Sequence, residues 1–209
     1  VKIVVSVPDL STLEHAVASG ADAIEIRLDL LEYSECTRAH QALSTGSVPL
    51  IVTLRTDAEG GAFRGTPDEW RKCLEPWLDI ADYVDIERPF AAHTDEVRNC
   101  GASVIASNHR HDMPDQTALR ALEAELRGYG DIPKIIVAPS SMDDALRLLS
   151  FTAMAEKPIA TGVMGAEFRF MRAILPLFGS ELVFCHTGIP TSPGQYHIDE
   201  MRRLLEMLR

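Results

Sequence analysis

Eight short apolar runs punctuate this chain of 209 residues, one in about every 26. That repetition constrains the fold more than any single motif. Each run has the length of one strand, and each interval has room for a helix, so successive strands are expected to lie parallel with a crossover between them. The predicted strands are Ile3–Val7, Ala23–Arg27, Leu50–Leu54, Tyr83–Glu87, Ser103–Ser107, Lys134–Ala138, Ile159–Val163 and Leu182–Cys185. Helical periodicity fills Leu10–Ser19, Pro67–Ile80, Gln116–Arg127, Met142–Ala155, Phe168–Phe178 and Ile198–Leu208. Glu32–Ser47 and Phe90–Asn99 are less periodic, a helix being the simplest connector. Asp68, Asp115 and Ser141 are the expected N-caps. Eight such units predict a (β/α)8 barrel forming one domain over residues 1–209. The structural alternative, a doubly wound open sheet, more often carries a Gly-rich turn after its first strand. Here Gly60, Gly61 and Gly65 follow the third. No linker, internal repeat or low-complexity tract divides the chain.

A barrel makes a demand on function, because its active site belongs at the C-terminal ends of the strands. Polar side chains gather there. The second strand ends Glu25-Ile-Arg27-Leu-Asp29, and two-residue alternation sends all three charged groups to one side. Arg55 ends the third strand and is followed by Glu59-Gly60-Gly61; the fourth ends Asp85-Ile-Glu87, and the fifth Ser107-Asn108-His109. Any one of these residues is as readily a surface ion pair, but their gathering on one rim favours an enzyme.

Two bases stand out. Lysine is scarce (Lys2, Lys72, Lys134 and Lys157), and Lys134 sits in the apolar run Ile132-Pro-Lys134-Ile-Ile-Val. Burying an ammonium is costly, and a buried lysine that sheds its proton becomes a nucleophile for carbonyl carbon. His109 lies 25 positions earlier, one strand-plus-helix unit away, where an imidazole would transfer protons near neutral pH. The plain alternative places Lys134 in solvent at a strand end. Its position at the start of the predicted strand is in tension with a catalytic role, unless its side chain climbs the interior beside Ile136 and Ala138.

The formal net charge of −11 argues against nucleic acid or an anionic membrane surface as partner, and leaves a small anionic substrate if arginines gather locally. Cys36, Cys73, Cys100 and Cys185 are widely spaced, with no Cys-x-x-Cys pair, so neither a zinc site nor a disulfide framework is expected, and a reducing cytoplasm fits. No signal peptide, transit segment or membrane span is read from the sequence.

Taken in order, these motifs resemble the type I 3-dehydroquinate dehydratases, Schiff-base enzymes of the shikimate pathway to aromatic amino acids. The matching residues run nearly end to end: Glu25-Ile-Arg27-Leu-Asp29, Arg55 with Glu59-Gly-Gly, Asp85-Ile-Glu87, Ser107-Asn-His109, Asp131-Ile-Pro-Lys134, Met164-Gly165 with Arg172, Phe178-Gly-Ser180 and Pro193-Gly-Gln195. The resemblance implies that Lys134 forms an imine with the C3 ketone of 3-dehydroquinate, that His109 moves protons, and that Glu59 orients the imidazole and favours its charged form. It implies that Glu25, Arg27 and Arg55 frame the ring hydroxyls, that Arg172 holds the substrate carboxylate (Arg169 being the first alternative), and that Thr191 and Gln195 belong to a loop closing over the ligand. Cationic neighbours of Lys134 (Arg27, Arg55 or His109) would then favour the neutral amine. Neither metal nor organic cofactor is implied, and a homodimer is the expected assembly. The chain departs from the family pattern at Arg88, Arg110, Met171 and Thr191. It also starts at the first barrel strand, which implies a barrel without the N-terminal hairpin of longer members. The Gly188–Gln195 stretch, with Pro190 and Pro193 barring regular structure, is expected to be a mobile lid. His111, one step further into a charged loop, is expected to matter far less than His109.

Overall fold

The computed structural model describes residues 1–208; Arg209, the last residue of the domain expected over 1–209, lies outside them. Its eight strands are β1 (Lys2–Val7), β2 (Ala23–Arg27), β3 (Leu50–Thr53), β4 (Tyr83–Glu87), β5 (Ser103–His109), β6 (Ile132–Val137), β7 (Ala160–Val163) and β8 (Leu182–Cys185). All pair in parallel, in the order β7-β6-β5-β4-β3-β2-β1-β8. Because β8 returns to β1, the sheet curls into a (β/α)8 barrel whose seam lies between β7 and β8. Across that seam Glu181 N–H donates to the Ile159 carbonyl at 2.7 Å. Ser180 adds a side-chain bridge: its hydroxyl accepts from Thr161 N–H at 2.9 Å and donates to the Thr161 carbonyl at 3.0 Å.

The connecting helices are α1 (Leu13–Ala18), α2 (Tyr33–Leu43), α3 (Pro67–Leu74), α4 (Thr94–Asn99), α5 (Gln116–Arg127), α6 (Met142–Met154), α7 (Met171–Ile174) and α8 (Ile198–Leu208). The two less periodic connectors are thus α2, and a 3-10 turn over Arg88–His93 leading into α4. The predicted helices starting at Pro67 and Phe168 tighten early into 3-10 turns, Glu75–Trp77 and Leu175–Phe178, each containing a proline that cannot donate to the helical ladder. Asp115 and Ser141 cap as expected, accepting from Ala118 N–H at 2.8 Å and Asp144 N–H at 3.2 Å. Asp68 does not. Thr66 takes that position, because Pro67 starts the helix and Glu69 closes a capping box back onto the Thr66 N–H at 2.8 Å.

Alternation along the strands divides the buried residues by height and side. Outward residues such as Val5, Ile24, Ile26, Val52 and Ile86 pack under the helices with Trp70, Leu74 and Met201. Inward, Val4, Ala23, Ile51, Ile105, Ile132, Ala160 and Leu182 form one apolar layer. Beneath it the Lys2 ammonium donates to the Tyr83 hydroxyl at 3.1 Å and sits over its ring, so the chain's own side chains fill the barrel floor. Burying a large aliphatic side chain in such a layer contributes roughly 1.5–3 kcal/mol. The next layer up is polar, and it supports the site.

Candidate active site

β6 begins at Ile132, two residues before the predicted start, which places Lys134 in mid-strand opposite Ser107 and Ala160. Its side chain points into the barrel and is 4 % exposed. The tension over its position is thereby resolved: the residue stands one inward step above the apolar floor, not at the bottom rim. The ammonium donates to Asp85 Oδ2 at 2.9 Å, lies 3.8 Å from Glu25 Oε1 and sits 4.1 Å above the centre of the Phe184 ring. Its nearest charged partners are therefore carboxylates, where the sequence suggested cations.

The cations stand one layer higher and are themselves paired. Arg55 reaches Asp85 at 2.8 Å, Glu87 at 2.9 Å, the Ser107 hydroxyl at 2.9 Å and Glu59 at 3.3 Å. Burial works against its charge, but Asp85, Glu87 and Glu59 outweigh that and hold the guanidinium firmly protonated. The same pairing decides Asp85: burial pushes its carboxyl up, Arg55 and Lys134 pull harder, and the result is about 2. The Ser107 hydroxyl completes the knot with a 2.5 Å bond to Asp85. Arg27 forks onto Asp29 at 2.7 and 2.9 Å, and Asp29 also accepts from Arg55 N–H and Ala62 N–H. Glu25 accepts from Ser6 at 2.5 Å and Thr53 at 2.9 Å.

His109 ends β5, two residues above Ser107 on the same face. Glu59 Oε2 receives both its backbone N–H and ring Nδ1 at 2.9 Å, and Asn108 donates to Oε1 at 3.2 Å. With Nδ1 held as donor, Nε2 is left as the basic nitrogen. Gly61 permits this arrangement: a Cβ there would lie 2.2 Å from the Arg55 carbonyl, so only glycine lets the loop carrying Glu59 press against β3. Burial, then the charges of Arg55, Lys134 and Arg27, drives the imidazole well below the ordinary histidine range. Burial likewise pushes the Glu59 carboxyl up to about 8 against the pull of Arg55. The expectation that Glu59 favours a charged imidazole is corrected here: burial and three nearby cations favour the neutral base.

The opposite wall comes from the β7–β8 side. Arg172, in α7, donates to Ser192 Oγ at 3.0 Å and to the Pro193 carbonyl at 3.4 Å. Burial pulls its guanidinium down to about 10, which leaves it charged at neutral pH, and its buried Nε finds no partner among the described residues. Gln195 is buried: its carbonyl oxygen accepts from Thr191 N–H at 2.8 Å and its amide donates to the Cys185 carbonyl at 3.2 Å.

These walls enclose a cavity of about 330 Å³, and Lys134, His109, Glu59, Glu25, Arg27, Arg55, Arg172, Thr191 and Gln195 all line it. The departures at Arg88, Arg110 and Met171 do not. Arg88 pairs with Glu125 at 2.7 Å and Arg110 with Asp112 at 2.8 Å, both outside, while Met171 is buried against α6 and β7. His111 is nearer the chemistry than its sequence position suggested, exposed on the cavity rim. Sequence reading put Asp85 and Ser107 on the rim without giving either a role, and it did not single out Phe184. Their signal was the parity of inward positions along β4, β5 and β8, which becomes informative only once the strand register is known. No cluster of three metal-ligating side chains occurs among the described residues.

The chain is similar to the 3-dehydroquinate dehydratase of Methanoregula boonei, 47% identical over 207 residues and covering 99% of each chain. The corresponding protein of Methanospirillum hungatei is 38% identical over all of this chain and 81% of its own length. The crystal structure of the 3-dehydroquinate dehydratase from Geobacillus kaustophilus superposes with a TM-score of 0.88 at 25% identity, covering 99% of this chain and 90% of that one. A family model described as type I 3-dehydroquinase matches residues 6–209, and the chain belongs to that family.

Proposed function

We propose that this protein dehydrates 3-dehydroquinate to 3-dehydroshikimate through an imine on Lys134, with His109 as general base and general acid. One observation carries the reading: the buried amine of Lys134 and the imidazole of His109 stand on adjacent strands and line the same cavity. The Lys134 ammonium gives up a proton and attacks the C3 ketone as the neutral amine; the carbinolamine hydroxyl takes up a proton in its place and leaves as water, and an iminium results. That cation is an electron sink for the neighbouring C2–H bond. His109 Nε2 takes the C2 proton and the electrons pass into the iminium, giving an enamine. The enamine expels the C1 hydroxyl, which leaves as water with the proton held by His109, and hydrolysis of the conjugated iminium frees product and Lys134. Every proton is returned, and the amine and imidazole supply each reacting group, so the cycle calls for neither metal nor organic cofactor.

The surrounding residues divide the remaining work. Asp85 faces the nitrogen at which positive charge develops, so it stabilises the iminium electrostatically. Glu25, Arg27 and Arg55 meet the ring hydroxyls. Arg172 holds the carboxylate, its unpartnered Nε supporting that role. Thr191 and Gln195 belong to a lid that excludes water while the enamine exists. We place the enzyme in the shikimate route to aromatic amino acids, as a cytoplasmic homodimer. The net charge of −11 argues against nucleic-acid partners, and no helix among the described residues is long and apolar enough to cross a membrane. The test is turnover: 3-dehydroquinate should be converted to its conjugated enone product by the wild type and not by Lys134→Ala. Turnover of phosphorylated sugars in its place would contradict the reading.

A further inference from the structure

We infer that Arg169 is a positioning residue for the lid, fixing its descending arm through the ring of Tyr196 so that Thr191 and Gln195 face the ligand. The inference rests on the dehydratase reading above and on a second, separate set of contacts. Arg169 does not line the cavity. Its guanidinium carbon lies 4.0 Å from the centre of the Tyr196 ring, and its tip comes within 3.8 Å of Glu200 at the start of α8. The buried Nε has no hydrogen-bond partner among the described residues, so the ring contact is what offsets its desolvation. The Glu200 pair is more than half exposed on the acidic side and contributes little.

Tyr196 directly follows Gln195, and its carbonyl accepts from His186 N–H at 3.1 Å, which ties this arm to the end of β8. Just before it, Gly194 adopts φ +77 and is pressed against the loop that carries Arg169. A Cβ at that position would lie 2.6 Å from the Gly165 carbonyl oxygen and 3.2 Å from Arg169 Cβ. Two arginines three residues apart therefore grip the lid at two points. Arg172 grips the tip through Ser192 and Pro193, and Arg169 grips the base through Tyr196. Only the first is placed to share its grip with a bound carboxylate. The second keeps the arm in register while that exchange occurs, which a half-exposed cation stacked on a ring can do without touching the ligand.

The experiment compares Arg169→Met, Arg169→Lys and Tyr196→Leu by steady-state kinetics, amide exchange of residues 188–195, and borohydride trapping at Lys134. Arg169→Met should raise KM for 3-dehydroquinate roughly two- to thirtyfold, the span of an exposed to a desolvated cation–π contact. It should change kcat less than about twofold and speed exchange across 188–195. Arg169→Lys, which keeps a cation over the ring, should recover most of the KM. Tyr196→Leu should add little to Arg169→Met, as partners in one contact are not additive. Because the lid covers the ring as well as the carboxylate, a neutral ring analogue should lose affinity in step with the anionic substrate. Unchanged KM and exchange in Arg169→Met would overturn the inference. So would a loss confined to the anionic ligand, which would make Arg169 a carboxylate ligand, or a loss that Lys fails to repair. Trapping at Lys134 in every variant shows that such a failure belongs to the latch; absence of trapping in the wild type would indict the dehydratase reading itself.

Discussion

The two walls of the cavity are built in different ways. From β2 to β6 the wall is strand-borne: Glu25, Asp85, Glu87, Ser107 and Lys134, with Arg55 just past the end of β3, are almost wholly buried and hydrogen-bonded or paired to one another across continuous ladders. From β7 to β8 the ladder is interrupted, and the wall comes from α7 and from the loop over residues 188–195, held by a few contacts from Arg172, Gln195 and Arg169. A knot of buried charges is costly to rearrange, since breaking one partner strands the others in a low-dielectric interior. A loop pinned at a few points is cheap to move. In the proposed mechanism the chemistry of proton and imine transfer sits on the first wall and the recognition of an anion on the second. On that proposal the barrel separates what must stay fixed from what must open.

That contrast can be broken by substitution, and the strand-borne wall should fail hardest. Lys134→Ala should abolish turnover, and Lys134→Arg should do the same, because a guanidinium stays protonated and cannot attack a ketone. His109→Ala should lower kcat by roughly 10²–10⁴, the usual worth of a positioned general acid–base, as measured by steady-state assay. His111→Ala, on the exposed rim, should cost far less; equal losses would assign the base to the wrong histidine. On the loop-borne wall the effects should shift from kcat to KM. Arg172→Ala should raise KM for 3-dehydroquinate roughly ten- to a hundredfold, in line with the loss of a charge-assisted hydrogen bond, and weaken binding of a neutral ring analogue much less. Gln195→Ala should be mildest, raising KM by roughly two- to tenfold with a moderate fall in kcat, while amide exchange across 188–195 slows on product binding in the wild type only.

The pH dependence sharpens the same comparison. His109 must be neutral to act as base, and burial with three nearby cations places its titration well below the ordinary 6.5. The acid limb of kcat/KM should therefore fall below pH 6.5. An unfolded chain binds that proton near 6.5 where the folded one does not, so the stability contributed by the neutral imidazole is present above pH 6.5 and lost as pH falls below it. An acid limb at or above 6.5 would mean that the Glu59 contact dominates over burial.

Much of the fold was legible because the strands of a parallel barrel are short apolar runs, and runs such as Ala23–Arg27, Tyr83–Glu87 and Leu182–Cys185 carry their own boundaries. The residues expected at the site were legible through the motif resemblance, and the cavity brings them together. What stayed hidden was pairing. Nothing local in Asp85-Ile-Glu87 says that Asp85 bridges Lys134 and Arg55 while Glu87 meets Arg55 and not Lys134, because that depends on strand stagger and on which layer each residue reaches. Nor does Asp68 reveal that the preceding Thr-Pro pair has already started the helix.

The most direct test of the central claim is to trap the intermediate. Wild-type protein treated with borohydride in the presence of 3-dehydroquinate should gain the mass of the reduced ligand, and peptide mapping should place it on Lys134. His109→Ala should still trap, more slowly, and Lys134→Ala should not trap at all. An adduct on Lys2, Lys72 or Lys157, or active enzyme that never acquires one, would contradict the account.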